Sequence, residues 1–126
     1  MTIAYWCVLV AILLPYVWFS VVNAEAGKTR DNDEPRDFVS KLEGKAKRAW
    51  GAHLNSFEAN TGFVAGVIIS HLAHAPQAWI DDLAVAFIVL RIVHGILYIS
   101  GVGSVRSLIW ILSLACTVGL FVIGAF

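Results

Sequence analysis

Four apolar segments of helix length dominate this sequence and limit what the chain can fold into. They cover about residues 3–22, 48–74, 78–100 and 104–126, and a helix needs roughly 20 apolar residues to cross the hydrocarbon core of a bilayer. Hydrophobic residues make up 59% of the chain and charged residues 14%, a balance that soluble domains do not have. Because the segments lack the alternation of barrel strands, the sequence predicts an all-α integral membrane four-helix bundle, a single domain over residues 1–126.

The basic residues predict how these helices cross the membrane. Most of the lysines and arginines lie in the first connection, residues 23–47, and at Arg48, while Arg106 lies in the third connection. The second connection has none. The positive-inside rule then places the first and third connections in the cytoplasm and both termini on the non-cytoplasmic side. The first segment has no basic residue before it, so we expect a retained helix rather than a cleaved signal peptide.

Ionisable side chains inside the second and third segments mark a candidate site, because lipid tolerates buried charge poorly. Glu58 lies about 15 Å beyond Arg48 along a helix, and Arg91 lies about 14 Å before Ser100. The two helices run antiparallel, so Glu58 and Arg91 reach one depth. An ion pair between them is the expected way to keep both charged.

Helical spacing gathers further polar residues beside this pair. One stripe of the second segment holds Gly51, Asn55, Glu58 and Gly62, and one stripe of the third holds Arg91, His94 or Gly95, and Tyr98. His53 and Tyr98 lie nearer the cytoplasmic edge, where Arg106 opens the fourth segment. The pattern predicts a basic pocket that opens toward the cytoplasm and suits an anionic or zwitterionic ligand with a lipid-soluble co-substrate. The alternative is that these side chains only join helices or subunits.

Two motifs resemble the MAPEG family, the membrane-associated proteins in eicosanoid and glutathione metabolism. The first is Arg48-Ala-Trp-Gly-Ala-His-Leu-Asn55-Ser-Phe-Glu58, and the second joins Arg91-Ile-Val-His94-Gly-Ile-Leu-Tyr98 to Arg106-Ser107. The resemblance covers nearly the whole chain and is closest to small bacterial members. It implies a homotrimer in the bacterial inner membrane, with glutathione bound between neighbouring subunits near the cytoplasmic side.

The resemblance also implies roles for individual residues. Arg106, with Ser107 beside it, is expected to face the glutathione thiol as the catalytic pair, since a guanidinium stabilises a thiolate. The residues expected to bind glutathione are Arg48, His53, Asn55, Glu58, Arg91, His94 and Tyr98. The main departure from the pattern is at Gly51, where glutathione-using members carry a second arginine, and its loss removes one clamp for a carboxylate. Ala59 also stands where several members carry a bulky residue, and the stretch between Tyr98 and Arg106 is about one residue shorter than in the prostaglandin E synthase branch.

These features lead to one main functional hypothesis and several alternatives. The main one is an enzyme that joins glutathione to a lipophilic electrophile or reduces a lipid hydroperoxide. The alternatives are a non-catalytic lipid-binding protein with the same fold, which Gly51 favours, and an accessory subunit of a membrane complex. Haem held by His53 and His94 is a minor option. No nucleic-acid partner is expected at zero net charge.

No metal site is expected either. His71 and His74 lie near two aspartates but do not complete a ligand motif. We expect them to be histidines at the membrane interface, which tolerates polar side chains.

Overall fold

The computed structural model describes residues 1–126 as an all-helical chain. Four long helices are α1 (Ile3–Ala26), α3 (Gly44–Leu72), α4 (Gln77–Ser100) and α5 (Gly103–Ile123), and a short helix, α2 (Pro35–Ser40), lies between α1 and α3. The all-α class is confirmed. The largest differences from the predicted bounds fall around the first connection, where α1 continues to residue 26 and α3 begins at residue 44.

Three of the long helices can cross a membrane by length and composition. They are Ile3–Thr29, which includes a 3-10 turn after α1, together with α4 (Gln77–Ser100) and α5 (Gly103–Ile123). The sequence predicted four such segments. The remaining long helix, α3, has 29 residues, and it carries most of the polar side chains of the first motif. The apolar helices fit association of the chain with a lipid bilayer.

Pro15 interrupts the hydrogen bonding of α1, and α3 supplies the missing donor. Proline has no N–H to donate to the carbonyl four residues earlier, which here belongs to Ala11. Asn60 Nδ2 donates to Ala11 O at 2.6 Å, and His53 Nδ1 lies 2.8 Å from Pro15 O. Asn60 therefore replaces the donor that Pro15 lacks, and His53 adds a second contact between α3 and the same part of α1.

An apolar core joins all four long helices. Phe63 of α3 and Phe87 of α4 stack with ring centroids 3.9 Å apart and ring planes 2° from parallel. Val67 and Ile80 are fully buried beside them, and Leu120 brings in α5. Since lipid gives little hydrophobic drive for helix association, such close packing is a main source of stability within a membrane.

The first connection is folded rather than an open loop. Phe38 of α2 and the following Leu42 are buried against Val22 of α1 and Ala49 of α3. Lys45 Nζ lies 2.8 Å from Glu25 Oε1 at the surface, where an ion pair adds little stability. The apolar contacts of α2 therefore hold the connection against α1 and α3.

At the opposite end of α1, polar contacts tie its start to α3 and α4. Ala4 N donates to Asp81 Oδ1 at 2.8 Å. The ring of His71 stacks on Tyr5 with centroids 4.4 Å apart, and its Nε2 lies 3.3 Å from Thr2 Oγ1. These contacts account for His71 and Asp81 as structural residues.

Candidate functional site

A cleft of about 420 Å³ between α3, α4 and α5 brings together five of the predicted site residues. Asn55 comes from α3, His94 and Tyr98 come from α4, and Arg106 and Ser107 come from the first turn of α5; Trp110 and Ile111 complete the lining. Helix α4 ends only three residues before α5 begins. That tight turn places the two aromatic rings of α4 next to the arginine of α5.

Arg106 lies over the face of Tyr98 at the edge of this cleft. Its Cζ atom is 4.2 Å from the ring centroid, the geometry of a cation–π contact. His94 meets the same ring edge-on, with centroids 5.8 Å apart. No carboxylate forms an ion pair with Arg106. The guanidinium donors are therefore free of any carboxylate of this chain and can bind an anionic group in the cleft.

Arg91 lies behind Asn55, and only 1% of its surface is exposed. Its Nη2 donates to Asn55 Oδ1 at 2.7 Å, and Asn55 Nδ2 in turn donates to Glu58 Oε2 at 3.4 Å. The expected direct ion pair between Glu58 and Arg91 is wrong, because neither of the chain's ion pairs includes them. Asn55 stands between the two charges, and Glu58 is exposed.

Several buried polar atoms beside the cleft have no hydrogen-bond partner within the chain. They are Arg91 Nε, Arg91 Nη1 and His94 Nδ1. Leaving such atoms without hydrogen bonds costs stability, and of the two residues only His94 lines the cleft. The arrangement around Asn55 is chemically suited to an anionic group.

Two predicted site residues are engaged elsewhere in the protein. Arg48 Nε donates to Ile99 O near the end of α4 at 2.8 Å, where a cation also offsets the negative end of the helix dipole. His53 is buried against α1 through Pro15 O and stacks on Trp50, with centroids 4.8 Å apart. Neither residue lines the cleft within one chain, so their proposed role in binding stays a prediction.

A second, smaller cleft of about 170 Å³ adjoins the first. Its lining residues are Glu58, Ala59, Gly62, Phe87, Trp110, Ser113, Leu114 and Thr117. Trp110 lines both clefts, and it is not among the residues that the sequence predicted for the site. The spacing of residue 110 could have indicated this role. Residues 106, 110, 113 and 117 recur at intervals of three and four, which places them on one helix face.

Comparison with known proteins places the chain in a family. No curated protein and no solved structure matches it. The sequence model of the MAPEG family matches residues 3–126, a range that includes all four long helices and every residue of both clefts. The chain therefore belongs to the MAPEG family.

Proposed function

We propose that this protein is a membrane-bound, glutathione-dependent transferase or peroxidase that acts on lipophilic electrophiles or lipid hydroperoxides. Membership of the MAPEG family supports this, since the family includes glutathione transferases and peroxidases. The observation that carries the proposal is the position of Arg106, whose guanidinium lies 4.2 Å above Tyr98 beside the cleft without a carboxylate partner. An arginine held in this way can stabilise a thiolate next to Ser107.

The charges around the cleft suit glutathione, which carries two carboxylates, one ammonium group and a thiol. Arg91 has two unpaired buried nitrogen atoms and would attract a carboxylate behind Asn55. Glu58, which already accepts from Asn55, would attract the ammonium group. Together, Asn55 and Glu58 would hold the amino end or backbone of glutathione, while Arg106 would face the sulfur atom.

The reaction needs the thiol to lose its proton, because the thiolate is the nucleophile. In transfer, the thiolate sulfur bonds to an electrophilic carbon, and the displaced group leaves with the bonding electron pair. In peroxide reduction, the thiolate attacks one peroxide oxygen and, with one proton, gives an alcohol and a sulfenic acid. A second glutathione then reduces the sulfenic acid, which yields the disulfide and water. The positive charge of Arg106 favours both routes by stabilising the thiolate.

We propose further that the working form is a homotrimer in the bacterial inner membrane, with both termini on the non-cytoplasmic side. Glu58, Leu54 and Phe57 are exposed on the surface of α3. An exposed carboxylate in the middle of a long helix is costly in lipid, and a neighbouring copy would cover it. The same contact would place glutathione between subunits, where Arg48 and His53 of this chain or a second copy could approach it.

A second candidate function is lipid binding without catalysis. The smaller cleft supports it, because half of its lining is apolar and Trp110 joins it to the polar cleft. A lipid would place its acyl chain there and its charged head near Arg106. Under this alternative the cleft binds a lipid and the protein catalyses no thiol reaction.

The conjugation rate of an arginine variant separates the two functions. In detergent or nanodiscs, the wild-type protein should join glutathione to a lipophilic aryl halide, and Arg106→Ala should lower kcat/KM by about 10²-fold or more, as for other losses of a charge-stabilising group. Arg36→Ala, in the exposed first connection, is the matched control and should keep the wild-type rate. A wild-type protein that neither conjugates glutathione nor reduces a lipid hydroperoxide, yet still binds lipid, would favour the second function.

A further inference from the structure

Gly51 of α3 provides the surface on which the Tyr98 ring lies. A Cβ atom at position 51 would approach Tyr98 Oη to 2.6 Å, Cζ to 2.7 Å and Cε1 to 2.8 Å. These distances are shorter than real side chains tolerate. All three atoms belong to the outer end of the tyrosine, so the absence of a side chain at Gly51 serves the placement of this ring.

The Tyr98 ring also contacts Arg106. The Tyr98 ring, placed against α3 in this way, carries the Arg106 guanidinium 4.2 Å from its centroid. Arg106 is half-buried and forms no ion pair. Ser107 donates its hydroxyl to Gly103 O within α5, so it does not hold the arginine. The face of Tyr98 is therefore the contact that fixes the position of the guanidinium.

We propose that Gly51 and Tyr98 are positioning residues for Arg106, with the bare helix surface at Gly51 seating the ring and the seated ring holding the guanidinium in the cleft. Glycine inside a helix is less stable than alanine, and the close approach of Tyr98 explains its use here. The inference rests on the proposed function only for its catalytic consequence. The geometric part concerns the protein alone.

The proposal makes the phenol ring a determinant of specificity. With Tyr98 lying on α3, no longer side chain fits at position 51, and Arg48 is already bound to Ile99 O. The cations close to the cleft are then Arg106 at its edge and Arg91 behind Asn55. A ligand with one anionic group near each arginine fits this arrangement. The anion near Arg106 would be the sulfur atom of a thiolate.

Arginine side-chain NMR of the full chain in detergent tests the placement without any ligand. Protons that lie over the face of an aromatic ring resonate upfield, so the Arg106 side chain should show shifted resonances, assigned with Arg106→Lys. Gly51→Ala should change this shift, because the Tyr98 ring must move to admit a Cβ atom. Tyr98→Leu should remove it, whereas Tyr98→Phe should keep it because the ring remains.

The controls separate seating from general packing. Gly119→Ala is the matched change, since its Cβ would meet only Leu83, at 3.3 Å, and it should leave the Arg106 resonances unchanged. Adding Gly51→Ala to Tyr98→Leu should have no further effect if Gly51 acts through the ring. A wild-type Arg106 shift in folded Gly51→Ala would overturn the proposal. If that variant does not fold, an unchanged shift in Tyr98→Leu would overturn it equally.

The catalytic consequence is tested separately. Loss of a cation–π contact weakens the placement of a cation by roughly two- to fivefold, so Gly51→Ala should lower kcat/KM by about that factor. This loss is much smaller than that expected of Arg106→Ala. If the resonances behave as predicted but no variant and no wild-type protein uses glutathione, the proposed function fails and the seating of Tyr98 stands. If Gly51→Ala keeps the wild-type Arg106 shift and the protein turns over glutathione, the seating of Tyr98 fails and the proposed function stands.

Discussion

Asn55 links the two charged residues inside the protein, because its amide accepts from Arg91 and donates to Glu58. An amide can do both at once, whereas a carboxylate can only accept. Arg91 has no other hydrogen-bonded side-chain partner, and two of its nitrogen atoms remain without one. The buried guanidinium therefore depends on a single neutral residue, which also lines the cleft.

Replacing this residue should lower stability measurably. Asn55→Ala removes the hydrogen bond to a buried charge, and bonds to charged groups contribute about 1.5–3 kcal/mol. We expect the free energy of unfolding in detergent to fall by about 2 kcal/mol. Asn32→Ala, which loses an exposed contact with Arg30, is the matched control and should change it by less than about 0.5 kcal/mol. Equal effects of the two variants would show that Arg91 does not rely on Asn55.

The sequence identifies the charged residues inside the helices, but it does not give their hydrogen-bond partners. Charged residues are conspicuous within apolar segments, so Glu58 and Arg91 were identified from the sequence alone. Their contacts depend on the rotation of each helix, which helical spacing gives only to within a residue or two. That is why Asn55 stands where a direct ion pair was expected, and why Arg48 binds a backbone carbonyl near the end of α4.

Among the elements, α1 and α3 depend on each other most directly. Pro15 leaves the carbonyl of Ala11 without its usual donor, and Asn60 replaces that donor at 2.6 Å. The contact explains why a polar residue outside the predicted site lies on a membrane-length helix. It also makes the two residues energetically coupled.

A double-mutant cycle measures that coupling. Asn60→Leu should lower the free energy of unfolding by about 1–3 kcal/mol, because Ala11 O loses the side-chain donor that replaces the missing N–H of Pro15. In a Pro15→Ala background the restored N–H of residue 15 can donate to Ala11 O, so the same change should cost clearly less. Thermal and chemical unfolding of the four proteins gives the cycle. Strictly additive effects would contradict the repair of α1 by Asn60.

The elements that the sequence predicted well are the long apolar ones. Their lengths and hydrophobicity set the four long helices, whereas α2 was missed because six residues are too few for a periodic pattern. Phe38 and Leu42 become buried only once α1 and α3 are in place. Tertiary packing therefore decides that the first connection is folded.

The whole molecule has apolar outer helix surfaces, an apolar core and two adjoining clefts between α3, α4 and α5, the larger of which is lined by polar side chains. Membrane character and family follow from the sequence, because apolar length and two spaced motifs are local properties. The second cleft and the seat of Tyr98 on Gly51 do not follow, since they arise where three helices meet. The trimer that we propose would explain the exposed carboxylate of Glu58, because a neighbouring chain would cover it.

Calorimetric titration of glutathione into the purified full-length protein in detergent tests the central claim, that the cleft of Asn55, Tyr98 and Arg106 binds this thiol. We expect saturable heat and a rise in the unfolding temperature with millimolar glutathione, since a ligand of the folded state stabilises it by mass action. Neither heat nor thermal stabilisation at that concentration would contradict it.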